Sequence, residues 1–201
     1  TARFANVAFS NGSLLDGFIN RLNKRQPLSC PNDVKRFFVS PKESGQICLL
    51  ASVIGDSGDI FFPKFNFERD QIYFKDIAIE FLKFIGLDPE IMDSEKDAKN
   101  FKLDNRESKK YPIFFFKTNT SGEKLYEEFY TDDEHYSLLK YDALGVINNF
   151  QFEFDVQDLK NKLEFLFKKK EIDKIDLVNL IKVYLPDFDH IETGKNLDQK
   201  M

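Results

Sequence analysis

The residue types that most often carry out chemistry occur in this sequence without the spacing that an active site requires. His135 and His190 lie in charged, surface-like stretches, where an exposed histidine is more common than a general base. Cys30 and Cys48 are far apart, with no CxxC spacing and no histidine partner, so neither a zinc site nor a disulfide is indicated. Carboxylates are numerous, but none lies on an apolar face where burial would raise its pKa.

The common sequence motifs of catalysis are absent as well. The chain has no GxGxxG or GxxxxGK[ST] phosphate loop, no GxSxG nucleophile turn and no HExxH zinc motif. We therefore expect no catalytic residue and no metal site in this chain. We also expect both cysteines to be core thiols in a reducing cytoplasm.

Composition narrows the class of protein. The 201 residues carry a net charge of −5, which argues against a nucleic-acid surface because such a surface needs concentrated cationic charge. No apolar run approaches the roughly 20 residues of a membrane span, so a soluble globular protein is expected. Phenylalanine occurs 23 times and tryptophan is absent, and we interpret this bias as core packing.

The start of the chain predicts a strand that turns directly into a helix. Residues 1–9 alternate loosely between apolar and polar types, Ser10–Ser13 form a turn with Ser13 as helix cap, and a helical face begins at Leu14. A chain rarely opens inside such a unit. We therefore expect an earlier part of this domain to lie on another stretch of polypeptide.

Strands and helices alternate along the next hundred residues, which favours an α/β or α+β layer architecture. Strands are predicted at residues 28–31, 35–39, 59–63 and 112–116. Helices are predicted at residues 41–54, 74–85, 94–100 and 123–128. The first of these helices has a Ser40 cap and is predicted to turn Ile47, Leu50, Ala51 and Ile54 inward. The rest of residues 90–110 is predicted to be a loop.

The tail from about residue 151 predicts two further amphipathic helices. The first carries Val156, Leu159, Leu163, Leu166 and Phe167, and the second carries Ile175, Val178, Ile181 and Leu185 before Pro186. We expect a helical hairpin appended to the main body.

Three segments, in order, resemble the C-terminal half of nucleotide-sugar 4,6-dehydratases of the extended short-chain dehydrogenase/reductase superfamily. They are Arg3-Phe4-Ala5-Asn6-Val7 with Ser10-Asn11-Gly12-Ser13, the stretch Asn32–Glu43, and Gly122-Glu123-Lys124-Leu125-Tyr126-Glu127-Glu128-Phe129. The likeness covers roughly residues 1–148 and is strongest to UDP-N-acetylglucosamine 4,6-dehydratases of bacterial surface-polysaccharide or nonulosonate biosynthesis.

The resemblance implies an α/β fold, the C-terminal part of a Rossmann-like domain. Residues 1–150 would hold the last parallel strands and a small substrate-binding subdomain, and residues 151–201 a helical extension. The half that binds NAD or NADP would be absent from this chain. The implied cofactor-binding residues are Asn6 and Val7, and the implied substrate-binding residues are Asn6, Ser10, Asn11, Gly12, Ser13, Phe18, Arg36, Glu123 and Lys124.

Each of these residues also has a plain structural interpretation. Asn6 could satisfy backbone groups at a strand end, Ser13 could be only a helix cap, and Arg36 could be a surface ion-pair partner. Glu123 and Lys124 could be a first-turn helix pair.

The sequence departs from the family pattern in two places. Thr120 and Ser121 stand where the family has Arg-Pro, so Lys117 or Arg36 would have to supply the diphosphate contact. Tyr136 and Lys140 fit the spacing of the family's Tyr-x-x-x-Lys pair, but they follow the last motif among acidic residues, and we do not expect them to be catalytic.

The expected function is therefore that of the substrate-binding half of an NAD(P)-dependent, cytoplasmic dehydratase. Its implied partners are a UDP-sugar, its own N-terminal half and further copies of itself. Two alternatives stay open: an epimerase or reductase of the same superfamily, and a non-catalytic interaction module.

Overall fold

The computed structural model describes residues 1–103, 109–119, 127–148, 150, 154–186, 188, 190–192 and 194. These residues form two compact units, the first within residues 1–150 and the second from residue 154 onward. The helices are α1 (Leu14–Asn23), α2 (Pro41–Ile54), α3 (Phe74–Phe84), α4 (Glu95–Asn100), α5 (Val156–Phe167) and α6 (Lys174–Tyr184). The strands are β1 (Asn6–Val7), β2 (Leu28–Pro31), β3 (Lys35–Arg36), β4 (Phe38–Val39), β5 (Ile60–Pro63), β6 (Ile72–Tyr73), β7 (Asp88–Met92), β8 (Lys110–Phe116), β9 (Tyr136–Ser137) and β10 (Leu144–Ile147).

Local capping explains where the helices begin and end. The Ser13 side chain accepts the N–H of Asp16, and Ser40 forms a complete capping box with Glu43, as the sequence predicts. The chain leaves α3 through Gly86, whose φ of 82° lies in the left-handed region that glycine adopts at low cost.

A parallel sheet of order β2-β8-β7 forms one layer of the first unit. Its central strand β8 is a continuous apolar run because it is covered on both faces, and Ile113 on it is fully buried. Helices α1 and α3 pack on this sheet through Leu15, Phe18 and Leu82. This packing is the largest core cluster among the described residues.

A second parallel pair, β1-β4, lies beside the antiparallel sheet β5-β10-β9. The N-terminal residues run along β5, where the N–H of Arg3 donates to the carbonyl oxygen of Phe61 at 2.8 Å. Strand β3 pairs with β6 in a separate antiparallel ribbon. Phenylalanine side chains fill the core next to β1 and β4, but others are exposed, such as Phe84 at 89%, so core packing accounts for only part of the phenylalanine bias.

Several details differ from the sequence prediction, among them strand β6, which was not predicted, and the strand predicted at residues 35–39, which is divided into β3 and β4. Strand β7 lies in the stretch predicted as a loop, because an edge strand paired only with β8 needs no regular apolar pattern. Strands β9 and β10 were not predicted. On α2, Ile47 is buried against Phe61, Leu144 and Val146, but Leu50 and Ile54 lie on a face of the helix that stays exposed. Glu127 and Glu128 lie outside any helix.

The second unit contains the two predicted tail helices. Asp155 caps α5 and Asp173 caps α6 through side-chain oxygens that accept backbone N–H groups. The Tyr184 hydroxyl donates to the Asp158 carboxylate at 2.6 Å and joins the two helices. No helix in the described part of the chain has the length and apolarity needed to cross a lipid bilayer.

The two cysteines occupy different environments, so the prediction of two core thiols is wrong for one of them. Cys30 is buried in β2, and burial, aided by the Asp76 carboxylate, raises the pKa of its thiol to about 12. Cys48 is exposed on α2. We expect a thiol reagent at pH 8 to modify Cys48 quickly and Cys30 only after unfolding, since the thiolate is the reactive form. Mass spectrometry of the native and denatured protein checks this, and rapid double labelling of the native protein would contradict it.

Candidate functional site

Several of the predicted binding residues lie at one edge of the first unit, where two parallel strands end. Asn6 of β1 pairs with Phe38 of β4, and Val7 pairs with Val39. Each strand then leads into a helix start, at Ser13 for α1 and at Ser40 for α2. The carboxyl ends of parallel strands and the N–H groups of helix starts therefore meet at one edge, the usual place for ligands in α/β folds.

The turn after β1 is held by its own hydrogen bonds. Phe9 has a φ of 60°, which is unusual for a bulky residue, and its side chain is 53% exposed. The Ser10 hydroxyl and N–H both donate to the carbonyl oxygen of Val7, at 2.9 and 3.3 Å. The N–H of Ser13 donates back to the carbonyl oxygen of Ser10 at 2.9 Å. These bonds fix the path of the chain into α1.

An acidic side chain occupies part of this helix start. The N–H of Gly12 donates to Oδ2 of Asp16 at 3.2 Å. The Asp16 carboxylate stabilises the positive end of α1, but its charge opposes that of any phosphate bound there. By helix geometry the N–H groups of Leu14 and Leu15 also point out of this end. Asn11 lies exposed in the same turn.

Asn6 of β1 forms a small polar cluster with Glu127 and the backbone of Phe37, which we call the Asn6 cluster. Asn6 Nδ2 donates to the Phe37 carbonyl oxygen at 3.3 Å and to Glu127 Oε2 at 3.2 Å. The Phe37 N–H donates to the same Glu127 oxygen at 3.3 Å. Glu127 thus ties strand β1 to the segment between β3 and β4.

Glu127 is a carboxylate whose pKa is raised by burial, although the sequence indicated no such carboxylate. Burial raises the pKa of Glu127, while the Phe37 N–H, the nearby Arg36 charge and Asn6 act in the opposite direction. Nothing in the spacing of the segment marks Glu127 as half-buried, because its hydrogen-bond partners Phe37 and Asn6 lie 90 and 121 positions away in the sequence.

Replacing Glu127 with glutamine is expected to raise stability at neutral pH by less than about 1 kcal/mol. A raised folded-state pKa means that the stabilising contribution of Glu127 is present below its unfolded pKa and is lost as pH rises through the folded pKa. Glutamine carries no charge to desolvate, so its advantage over glutamate should vanish below about pH 4. Urea unfolding of both proteins across pH 3.5–7.5 measures this, and a pH-independent difference would contradict it.

Arg36 follows Lys35 on β3 and directly precedes Phe37 of this cluster. Its Nη1 donates to the Lys35 carbonyl oxygen at 2.8 Å, and its guanidinium carbon lies 5.9 Å from the centre of the Phe74 ring. Its positive charge acts to lower the pKa of Glu127, against the larger effect of burial.

An ion pair that the sequence did not predict holds the start of the chain. The Arg3 guanidinium binds both carboxylate oxygens of Glu134 and also donates to the Phe129 carbonyl oxygen at 2.9 Å. Arg3 holds the pKa of Glu134 below its ordinary value. This two-pronged geometry fixes the segment that leads to Asn6.

One predicted residue lies in the core, and two others cannot be assigned to this edge or away from it. Phe18 is only 1% exposed and packs against Phe81, so it is a core residue, and we correct the expectation that it faces substrate. Glu123 and Lys124, together with Thr120 and Ser121, lie outside the described residues.

The remaining candidates for chemistry have structural partners. The Tyr136 ring packs against Tyr130 with ring centres 4.0 Å apart, whereas Lys140 lies over the ring of Tyr141. His190 was expected to be exposed, but its side chain is 14% exposed and pairs with Glu192. Among the described residues, no group of three or more His, Cys, Asp or Glu side chains is arranged to hold a metal.

Three comparisons with known proteins bear on the fold and the family. The chain is 25% identical over 170 residues to an uncharacterized membrane protein of Methanocaldococcus jannaschii, covering 84% of this chain and 44% of that protein. It is similar to the X-ray structure of Pen from Bacillus thuringiensis, with a TM-score of 0.53, 20% identity, and coverage of 82% of this chain and 48% of that one. The chain thus spans about half the length of the proteins it matches.

The structural likeness confirms the α/β fold predicted from the sequence. The model of the family described as polysaccharide biosynthesis protein matches residues 1–149, which include the strand pair, both helix starts and the Asn6 cluster. Because this match covers most of the chain, the protein belongs to the polysaccharide biosynthesis protein family.

Proposed function

We propose that this chain is the substrate-binding part of a UDP-N-acetylglucosamine 4,6-dehydratase that acts in polysaccharide or nonulosonate biosynthesis. The observation that carries the proposal is the edge at β1 and β4, where two parallel strands paired through Asn6 and Phe38 end at helix starts. Membership of the polysaccharide biosynthesis protein family supports a nucleotide-sugar ligand at such an edge.

In this proposal the chain binds and orients the nucleotide sugar. Arg36 pairs with phosphate oxygens, because a guanidinium fork suits their geometry. The turn Ser10, Asn11, Gly12 and Ser13 borders the sugar and the diphosphate. Glu123 and Lys124 are proposed as further substrate contacts on the strength of the sequence resemblance alone. The chain then lowers the barrier by holding the reacting ring in place.

Of the proposed cofactor-binding site, this chain would supply only Asn6 and Val7 of β1. The side-chain amide hydrogens of Asn6 and the carbonyl oxygen of Val7 already have partners, so the Asn6 side chain offers its Oδ1 as an acceptor. The chain carries no glycine-rich phosphate loop. The cofactor, when bound, supplies hydride transfer, and we propose that its phosphates and the catalytic tyrosine and lysine are held by residues outside this chain. A cytoplasmic homo-oligomer is part of the same proposal.

The binding of UDP to the whole protein tests this assignment. Replacing Arg36 with glutamine is expected to weaken UDP binding about 10- to 100-fold, since a charge-assisted hydrogen bond to phosphate contributes about 1.5–3 kcal/mol. Lys35→Gln is the matched control, because Lys35 is the preceding residue on the same strand and lies over the Tyr73 ring, 4.5 Å from its centre. Isothermal titration calorimetry gives both affinities.

Equal losses of UDP affinity in the two variants would show that Arg36 does not bind the phosphates. If neither UDP nor UDP-N-acetylglucosamine binds or thermally stabilises the unmodified protein, the chain is instead an interaction module.

A further inference from the structure

The Asn6 side chain is held in one orientation. An asparagine amide has one acceptor oxygen and two N–H donors, and its two ends are distinguished by the groups that they face. Here one end faces the Phe37 carbonyl oxygen and Glu127 Oε2, which both accept hydrogen bonds. That end is therefore the NH2 group. The reversed amide would place Oδ1 against a carbonyl oxygen and a carboxylate.

Glu127 is itself fixed by rigid surroundings. The oxygen that accepts from Asn6 also accepts the Phe37 N–H. Phe37 is fully buried, and its ring stacks on Phe65 with centres 4.8 Å apart. The carboxylate is therefore anchored to a backbone segment that cannot move without opening the aromatic core.

The neighbouring serine has the same polarity. Ser10 donates its hydroxyl hydrogen to the Val7 carbonyl oxygen at 2.9 Å, so its oxygen has only lone pairs left to offer. Asn6 Oδ1 on β1 and Ser10 Oγ in the turn after it are thus both hydrogen-bond acceptors. Acceptors attract hydroxyl or amide hydrogens and repel phosphate oxygens.

We infer that Glu127 is a positioning residue, which holds the Asn6 carbonyl oxygen toward the ligand so that it accepts a hydrogen bond from a hydroxyl or N–H group of the hexose. The inference rests on the proposed function and deepens it. In this inference the residues at the end of β1 bind the sugar. Other groups, such as Arg36 and the N–H groups at the start of α1, bind the phosphates.

The test compares the binding of UDP and UDP-N-acetylglucosamine to the whole protein by calorimetry. Replacing Glu127 with alanine frees the Asn6 amide to rotate, so we expect about 3- to 10-fold weaker binding of UDP-N-acetylglucosamine, the range for one neutral hydrogen bond. Binding of UDP, which has no hexose, should change less than about twofold. Glu127→Gln keeps an acceptor oxygen in place and should restore the binding of UDP-N-acetylglucosamine to within about twofold of the unmodified protein.

A double-mutant cycle separates positioning from a direct or general structural role. If Glu127 acts through Asn6, then Asn6→Ala and the double variant Asn6→Ala, Glu127→Ala should bind UDP-N-acetylglucosamine equally. Glu128→Ala removes an exposed carboxylate from the same segment and serves as the control for charge. Urea unfolding of each variant establishes that it is folded, and Glu127→Gln keeps the comparison decisive where an alanine variant does not fold.

Three results would overturn the inference. They are equal weakening of UDP and UDP-N-acetylglucosamine in Glu127→Ala, a further loss on adding Glu127→Ala to Asn6→Ala, and a loss in Glu127→Gln as large as in Glu127→Ala. If the unmodified protein binds neither ligand, the proposed function fails together with the inference. Normal binding of both ligands by the unmodified protein with any of the three results would overturn the inference alone.

Discussion

Replacing Phe37 with alanine is expected to lower the free energy of unfolding by about 3–5 kcal/mol, the range for removing a large aromatic side chain from a core. Phe37 is 0% exposed. Its ring contacts Phe65, Phe67 and Phe129, with ring centres 4.8, 5.2 and 5.3 Å away. The surrounding rings are rigid and cannot collapse fully into the space that the substitution leaves. The backbone of Phe37 also anchors Asn6 and Glu127, so ligand binding should weaken together with stability.

Urea unfolding followed by circular dichroism measures this effect. The matched control is Phe67→Ala, because Phe67 belongs to the same cluster but is 41% exposed. Removing Phe67 should cost clearly less, since its ring already contacts water. Equal losses in the two variants would mean that the cluster is not organised around Phe37.

The second large effect is expected at Gly145. Gly145 of β10 pairs with Phe62 of β5, and a Cβ atom at position 145 would lie 2.2 Å from the Phe62 ring. The ring cannot withdraw easily, because Phe62 is 1% exposed and stacks in parallel with Phe129. We expect Gly145→Ala to destabilise the protein by about 3 kcal/mol through overpacking, or to prevent folding.

Gly45→Ala provides the control for this substitution. Gly45 lies within α2, and a Cβ atom there would meet nothing within 4 Å. Alanine is the better helix former by about 1 kcal/mol, so this variant should be more stable than the unmodified protein. Gly145→Ala with an unchanged midpoint of unfolding would show that the β5–β10 ladder tolerates a shift of Phe62.

Features encoded by neighbouring residues were predicted correctly from the sequence. The caps at Ser13 and Ser40 depend on residues three positions away, and the end of α3 depends on Gly86. Strand β8 was predictable because a strand covered on both faces is a continuous apolar run. Strand β7 was not, because an edge strand with a charged, exposed pattern has no such run. Strand β10 was missed because Gly145 interrupts its pattern, and the reason for that glycine is the distant Phe62 ring.

The candidate site was predictable only in part for a similar reason. The sequence resemblance drew attention to Asn6 and Arg36, and the structure adds that the Asn6 side chain is hydrogen-bonded to Phe37 and Glu127. Glu127 lies 121 positions from Asn6, and Glu134 lies 131 positions from Arg3. Pairings of such long range depend on how the sheets are ordered, which local spacing does not encode. Phe18 was misassigned because an apolar residue on a helix has the same pattern whether it faces the core or a ligand.

The central claim is that this chain forms the substrate-binding part of a nucleotide-sugar dehydratase. The most direct measurement is to incubate the whole protein with UDP-N-acetylglucosamine and identify the product by mass spectrometry and NMR. The account predicts a nucleotide sugar that has lost one water and carries a 4-keto, 6-deoxy hexose, formed more slowly by Arg36→Gln than by Lys35→Gln. A product of unchanged mass with an inverted carbon would indicate an epimerase, and unchanged substrate after cofactor addition would contradict the claim.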